Sequence, residues 1–131
     1  MTAGQPQLEP GGYQLTPHSR LADSSDFRRV FAKNVSASNR HFVALARSNN
    51  RGHPRLGMAV AKKHLRRAVD RNRVKRLIRE TFRLQQRNLD SVDIVVLVKS
   101  GISAHNKQVL RQSLDSLWAK LSEQLARSSS A

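Results

Sequence analysis

The sequence predicts a single domain of the α/β (α+β) class, a two-layer sandwich with the element order α-β-β-α-β-α. Its 131 residues suit one hydrophobic core. Segments with the helical period alternate with shorter segments of strand pattern, and we allow for a further short strand near residues 34–38. The domain is expected at residues 16–125, between disordered tails at 1–15 and 126–131 that are rich in Gly, Pro, Gln or Ser.

The first predicted element is a short helix that begins after Leu21 and ends near Lys33. Asp and Ser residues in LADSSDFRRVFAKN are candidate N-caps. Phe27, Val30 and Phe31 follow at the spacing i, i+3, i+4, which places them on one helix face.

Two strands are predicted next, HFVALAR at 41–47 and RLGMAVA at 55–61. In the first strand, Phe42 and Leu45 point to opposite faces. In the second, large side chains alternate with small ones such as Gly57, so that one face is smooth enough for a helix or an RNA backbone to approach closely. The polar turn SNNRGHP between the strands predicts an antiparallel hairpin.

The remaining elements are a helix at 66–87, a strand at 93–99 and a helix at 106–125. The middle helix has an apolar stripe that includes Val74. DIVVLVK is apolar on both faces, which is typical of a strand covered on both sides. Trp118 lies on the leucine stripe of the last helix and is therefore assigned to the core.

The charge balance predicts a polyanionic partner. Lys and Arg number 24 against 9 Asp and Glu, a formal charge of +15. Nucleic acid is the first candidate and an anionic membrane surface the second. The absence of cysteine excludes disulfides and thiolate chemistry and fits a reducing compartment. No apolar run approaches the ~20 residues of a membrane span, and the first residues lack the pattern of a secretory signal. We therefore expect a cytoplasmic protein. Of the two polyanions, we take nucleic acid as the partner and expect no membrane partner.

The positive charge is concentrated in RRAVDRNRVKRLIR at 66–79. Residues 62–87 hold eleven cations and only two acids, Asp70 and Glu80. Cations one helical turn apart repel one another, so a phosphate backbone is the expected partner, and a merely solvated face is the alternative. Asn72 is either a specific contact or an exposed neutral residue. The candidate RNA-binding residues are Arg66, Arg67, Arg71, Asn72, Arg73, Lys75, Arg76 and Arg79.

Aromatic residues suggest a second surface. Phe27 and Phe31 lie one turn apart, either in the core or along a groove where unstacked bases lie against aromatic rings. Phe42 is a further candidate for that groove. The five histidines lack ligand spacing and the acids are scattered, so we expect neither a metal site nor a catalytic centre in the protein.

Several segments resemble one known family. AVDRNRVKRLIRETFR at 68–83 resembles the "RNR" motif of the protein subunit of bacterial ribonuclease P. DFRRVF, RLGMAVAKK and DIVVLVKSG resemble three further segments of that family in the same order, and the resemblance extends from Arg20 to Leu121.

The resemblance implies an accessory subunit of a ribonucleoprotein enzyme that removes the 5′ leader from precursor tRNA. Its partners would be ribonuclease P RNA, which holds the catalytic centre and the Mg²⁺ ions, and precursor tRNA. The implied fold is an α/β sandwich with a left-handed βαβ crossover, although right-handed crossovers are the general rule.

The matching positions assign residues to two surfaces. Arg71, Asn72, Arg73, Lys75, Arg76 and Arg79 match the motif's face toward the catalytic RNA. With the groove candidates added, the leader-binding cleft comprises Arg20, Phe27, Phe31, Phe42, Lys62 and Lys63. Leu45 stands where some members carry an aromatic residue, which departs from the pattern of that cleft.

Three other functions are considered beside this one. A ribosomal or general RNA-binding protein would have the same charge and fold class but would not stimulate precursor cleavage. A protein-only nuclease would need clustered acids. A DNA-binding regulator would need a recognition helix after a tight helical turn, whereas the basic helix follows a strand, so no DNA partner is expected.

Overall fold

The computed structural model describes residues 19–21, 23–103 and 106–130, and the predicted tail at 1–15 lies outside them. The elements are α1 (Ser24–Ala32), β1 (Val35–Ser38), β2 (Phe42–Ser48), β3 (Arg55–Ala59), α2 (Ala68–Gln85), β4 (Val92–Val98) and α3 (Lys107–Ser130). A short 3-10 turn follows α2. The predicted fold class is confirmed, and the additional strand near residues 34–38 is β1.

The four strands form one mixed sheet in the order β1-β2-β4-β3. β2 is antiparallel to both β1 and β4, and β3 is parallel to β4. The predicted hairpin of β2 with β3 is therefore wrong, because β1 and β4 already occupy both edges of β2. The β3–α2–β4 unit is a parallel crossover, and its left-handed sense stays a prediction from the resemblance.

The loop between β2 and β3 crosses the start of β4 instead of forming a hairpin turn. The carbonyl of Ser91 accepts a hydrogen bond from the backbone N–H of Asn49 at 3.0 Å. The hydroxyl of Ser91 accepts from the backbone N–H groups of Arg51 and Gly52 at 2.8 and 2.7 Å. These bonds carry the chain past β4 to the far edge of the sheet, where β3 pairs.

The main core lies between the sheet and the layer of α2 and α3. Phe42, Phe82, Ile94 and Trp118 are fully buried there. The indole N–H of Trp118 donates to the Thr81 hydroxyl at 2.9 Å, and its ring lies 5.9 Å from that of Phe82. The assignment of Trp118 to the core is confirmed.

The other face of the sheet is covered in part by α1. Asp23 caps this helix by accepting from the backbone N–H of Ser25 at 3.0 Å. Val30 is buried with Leu21 and Val95 in a second, smaller cluster. In the described part of the chain, α1 is the one helix on this face of the sheet, and several apolar side chains there stay partly exposed.

The last helix is longer than predicted. α3 continues to Ser130, so residues 126–130 are helical where the sequence predicts a tail. Leu125 packs against the main core, and Arg127 pairs with Glu123 one turn before it. Both contacts favour continued helix.

Candidate nucleic-acid interface

Helix α2 separates its apolar and basic side chains onto different sides. Val74, Leu77, Ile78 and Phe82 are buried against the sheet and α3. The basic surface of α2, as we define it, consists of Asn72, Arg73, Lys75, Arg76 and Arg79, of which Lys75 and Arg79 are half-buried and the others exposed. Burial of the apolar stripe fixes the direction in which this surface points.

Neither acid of α2 weakens the charge of this surface. Asp70 has a side chain only 13% exposed and lies 4.0 Å from the Nε atom of Arg67, in the first turn, where a carboxylate also stabilises the helix dipole. Glu80 is buried and forms an ion pair with Arg111 of α3. Within the described part of the chain, no carboxylate therefore forms an ion pair with this basic surface.

Arg20 extends the basic surface from a different segment. It forms a parallel bridge with Leu56, and the N–H of Leu21 donates to the Leu56 carbonyl at 2.9 Å, so this segment lies along the edge of β3. Burial and the nearby charges of Arg76 and Arg20 lower the pKa of Arg79. Because an arginine side chain is not deprotonated in proteins, the three guanidinium groups form one concentrated positive field. The structure thus brings Arg20, predicted for the cleft, beside α2.

The remaining predicted cations surround the connection from β3 to α2. One guanidinium nitrogen of Arg71 donates to the carbonyls of Leu65 and Arg66 at 3.0 and 2.8 Å, so this side chain shapes the entry into α2. Arg66, Arg67, Lys62 and Lys63 are exposed along the same connection. They continue the positive surface toward the end of the sheet.

A partly exposed apolar surface lies beside α1. Phe27, Leu45 and Leu97 pack against the small cluster under α1 but remain half-buried. Phe31 is 49% exposed. We call the surface formed by Phe27, Phe31, Val43, Leu45 and Leu97 the α1 cleft. The sequence left open whether this pair of phenylalanines lies in the core or along a groove. Phe27 does both, because it packs against the small cluster and stays partly exposed, whereas Phe31 is exposed.

The prediction for Phe42 is wrong. Its side chain is fully buried in the main core, on the face of the sheet opposite α1. The alternation of β2 sends Phe42 to one face, and Val43 and Leu45 to the other. Phe42 therefore cannot line the α1 cleft.

The sequence did not predict the ion network that holds α1. Arg55 donates to both carboxylate oxygens of Asp93 at 2.7 and 2.6 Å and lies 3.4 Å from Asp26 of α1. Asn49 also donates to Asp93 at 2.8 Å. The sequence contained a pattern that could have predicted this network. The strand period turns Arg55 and Asp93 to the α1 side of the sheet, and Asp26 lies in the first turn of that helix.

The fold and the site define a small, strongly basic α+β protein whose most prominent feature is the basic surface of α2. Within the described ranges, no group of three or more potential metal-binding side chains occurs, and no helix is long and apolar enough to cross a bilayer.

Comparison with known proteins identifies the family. The Ribonuclease P family model matches residues 15–122. The ribonuclease P protein component of Nitrosococcus oceani is 46% identical over 116 residues, covering 88% of this chain and 98% of the relative. That of Methylococcus capsulatus is 43% identical, covering 92% and 95%. The chain belongs to the ribonuclease P protein family, the protein components of an endoribonuclease complex for tRNA 5′ processing.

Solved structures agree with this assignment. The RNase P protein of Staphylococcus aureus has a TM-score of 0.72 at 33% identity, covering 79% of this chain and 96% of that one. The RNase P protein of Thermotoga maritima, solved with 1-(4-fluorophenyl)-2-thiourea, has a TM-score of 0.58 at 30% identity, covering 82% and 94%.

Proposed function

We propose that the chain binds ribonuclease P RNA through the basic surface of α2. The observation that carries this proposal is that both acids of α2 lie away from that surface. Asp70 pairs with Arg67, and Glu80 is buried against Arg111. An ordinary solvated helix gains stability from pairs of opposite charge. Among the residues that the structure describes, Arg73, Lys75, Arg76 and Arg79 form no ion pair with a carboxylate. RNA phosphates would neutralise them and release counterions.

The α1 cleft is proposed to receive the single-stranded 5′ leader of precursor tRNA. Phe31 offers an exposed ring face on which a base can stack, and stacking accepts any base. Leu45 and Leu97 add apolar contact area on the sheet. Because Leu45 has no aromatic ring, we expect the stacking contribution to come from α1 and not from β2.

The two surfaces have complementary roles in the complex. The RNA subunit supplies the catalytic centre and its Mg²⁺ ions, and precursor tRNA is the substrate, in the cytoplasm. The protein's own residues neutralise phosphates and hold the leader. Lys62 and Lys63, exposed after β3, lie where the chain passes from the sheet to α2 and would contact the RNA backbone between the two surfaces.

Cleavage of precursor tRNA at low magnesium concentration tests this proposal, with the catalytic RNA present or omitted. We expect cleavage only with the RNA, and stimulation of that cleavage by the protein. Cleavage by the protein alone would indicate a protein-only nuclease. No stimulation, despite binding to the RNA, would indicate a general RNA-binding protein and would contradict the proposal.

A further inference from the structure

A cavity of about 850 Å³ opens at the end of the sheet where β2 finishes and β4 begins. Its walls come from the end of α1, from those two strand ends and from the last turns of α3. Arg29, which lines it, lies about 200° around α1 from Phe27 at the helical period of 100° per residue. Helix α1 therefore separates this cavity from the α1 cleft.

Cations predominate in the cavity. Arg29, Lys33 and Arg47 line it, and Asp90 is the only acid among its lining residues. A guanidinium nitrogen of Arg47 donates to the Arg29 carbonyl at 2.8 Å, which holds this side chain at the wall. Across the part of the chain that the structure describes, none of the three cations forms an ion pair with a carboxylate. One cation at the end of α1 stabilises the helix dipole, but three exceed that need.

The other lining groups suit the remaining parts of a nucleotide. The side-chain amide of Asn50 offers both donors and an acceptor, as recognition of a base edge requires. The amide nitrogen of Asn88 donates to the side-chain oxygen of Gln85 at 3.0 Å, which leaves the Asn88 oxygen and its second N–H for a ligand. Val35 and Leu125, both half-buried, add apolar surface for the face of a base or a ribose. The volume lies in the range of small-molecule sites, roughly 300–1,000 Å³.

We propose that this cavity is a second nucleotide site, which binds a phosphorylated nucleoside, either free or as a unit of an RNA chain. Leu125, Ala126 and Ser128 of α3 form one wall, and they lie beyond residue 122, where the match to the family model ends. The site therefore depends on the helical turns that continue α3 past the matched segment. It does not require the basic surface of α2.

NMR titration of the ¹⁵N-labelled full chain tests the proposal, with uridine 5′-monophosphate, uridine, inorganic phosphate and a single-stranded pentanucleotide as probes. We expect the nucleotide or the pentanucleotide to shift the amide signals of Ser48, Asn50 and Leu125. Arg29→Gln and Lys33→Gln should each weaken that binding by about tenfold, the loss of one charge-assisted hydrogen bond. Both side chains are exposed, so the fold should persist.

Arg28→Gln is the matched control, because Arg28 is an exposed cation of the same helix that does not line the cavity. Shifts with uridine 5′-monophosphate indicate that a free nucleotide suffices, and shifts with the pentanucleotide alone indicate a segment of RNA. Inorganic phosphate binding as tightly as either probe, equal weakening by Arg28→Gln, or no shift with any probe would overturn the proposal. Arg76→Ala with Arg79→Ala should leave these shifts unchanged, which separates this test from that of the α2 surface.

Discussion

The ring of Phe27 lies directly against the backbone of Gly57, where a Cβ atom would come within 2.5 Å of Cζ of Phe27 and 2.9 Å of Cε1. This contact sets how closely α1 approaches the sheet. Gly57→Ala should displace the ring and lower the free energy of unfolding by about 1–3 kcal/mol, as overpacking does. Urea denaturation measures the loss.

The control for Gly57→Ala is the same change in a Phe27→Ala background. Without the ring, the nearest remaining atom is Cβ of Leu21 at 3.3 Å, a much milder contact than the ring makes. The second substitution should therefore cost much less there than in the wild-type chain. Equal costs in both backgrounds would show that the Phe27 contact does not explain the need for glycine.

Phe31→Ala should weaken the binding of leader-bearing precursor tRNA by the complex. Because the side chain is 49% exposed, its removal should change stability little. Loss of one stacked base corresponds to roughly 1–3 kcal/mol. Equilibrium binding of precursor and of mature tRNA to the assembled complex measures the effect, and equal loss for both RNAs would refute a leader contact at Phe31.

Phe42→Ala should have the opposite profile. The side chain is fully buried in the main core, so its removal should lower the free energy of unfolding by about 3–5 kcal/mol. At temperatures where the variant is folded, the ratio of precursor to mature tRNA affinity should match the wild type. A changed ratio in folded protein would mean that Phe42 does reach the leader.

Stability should depend on the ionisation of Asp93. Burial opposes its charged form, but hydrogen bonds from Arg55 and Asn49 outweigh burial, so the pKa of Asp93 lies below its ordinary value of 3.8. A lowered carboxyl pKa contributes stability that is complete above pH 3.8 and is lost as pH falls through the folded-state pKa. Asp93→Asn should thus be less stable than wild type at pH 6, with a gap that narrows in acid. Urea denaturation across this pH range checks it, and a constant gap would contradict it.

The sequence predicts the elements well because their periods are strong. The apolar stripe of α2 and the doubly apolar strand β4 lie close to their predicted positions. Strand partners were not predictable in the same way, because alternation in β2 and β3 defines their faces but not their neighbours. The short loop between them suggested a hairpin, whereas the strand pairing and the bonds of Ser91 show that the chain crosses β4.

For the candidate RNA-binding site, as for the fold, the sequence predicted the elements but not how they pack together. The helical period identified the basic surface of α2, but it could not foresee that Arg20 lies beside Arg79 along the edge of β3. Strand alternation separated Phe42 from Leu45 without indicating which face the two-helix layer would cover. Tertiary packing decided that question, and it moved Phe42 from the cleft to the core.

The salt dependence of binding to ribonuclease P RNA tests the central claim most directly. Arg76→Ala with Arg79→Ala should weaken binding and reduce the slope of log K against log salt concentration by about one unit for each lost phosphate contact. Arg28→Ala with Arg87→Ala removes the same charge from exposed positions outside the basic surface of α2 and should keep the slope near that of the wild type. An unchanged slope in the first variant, or the same reduction in both, would contradict the placement of the RNA on α2.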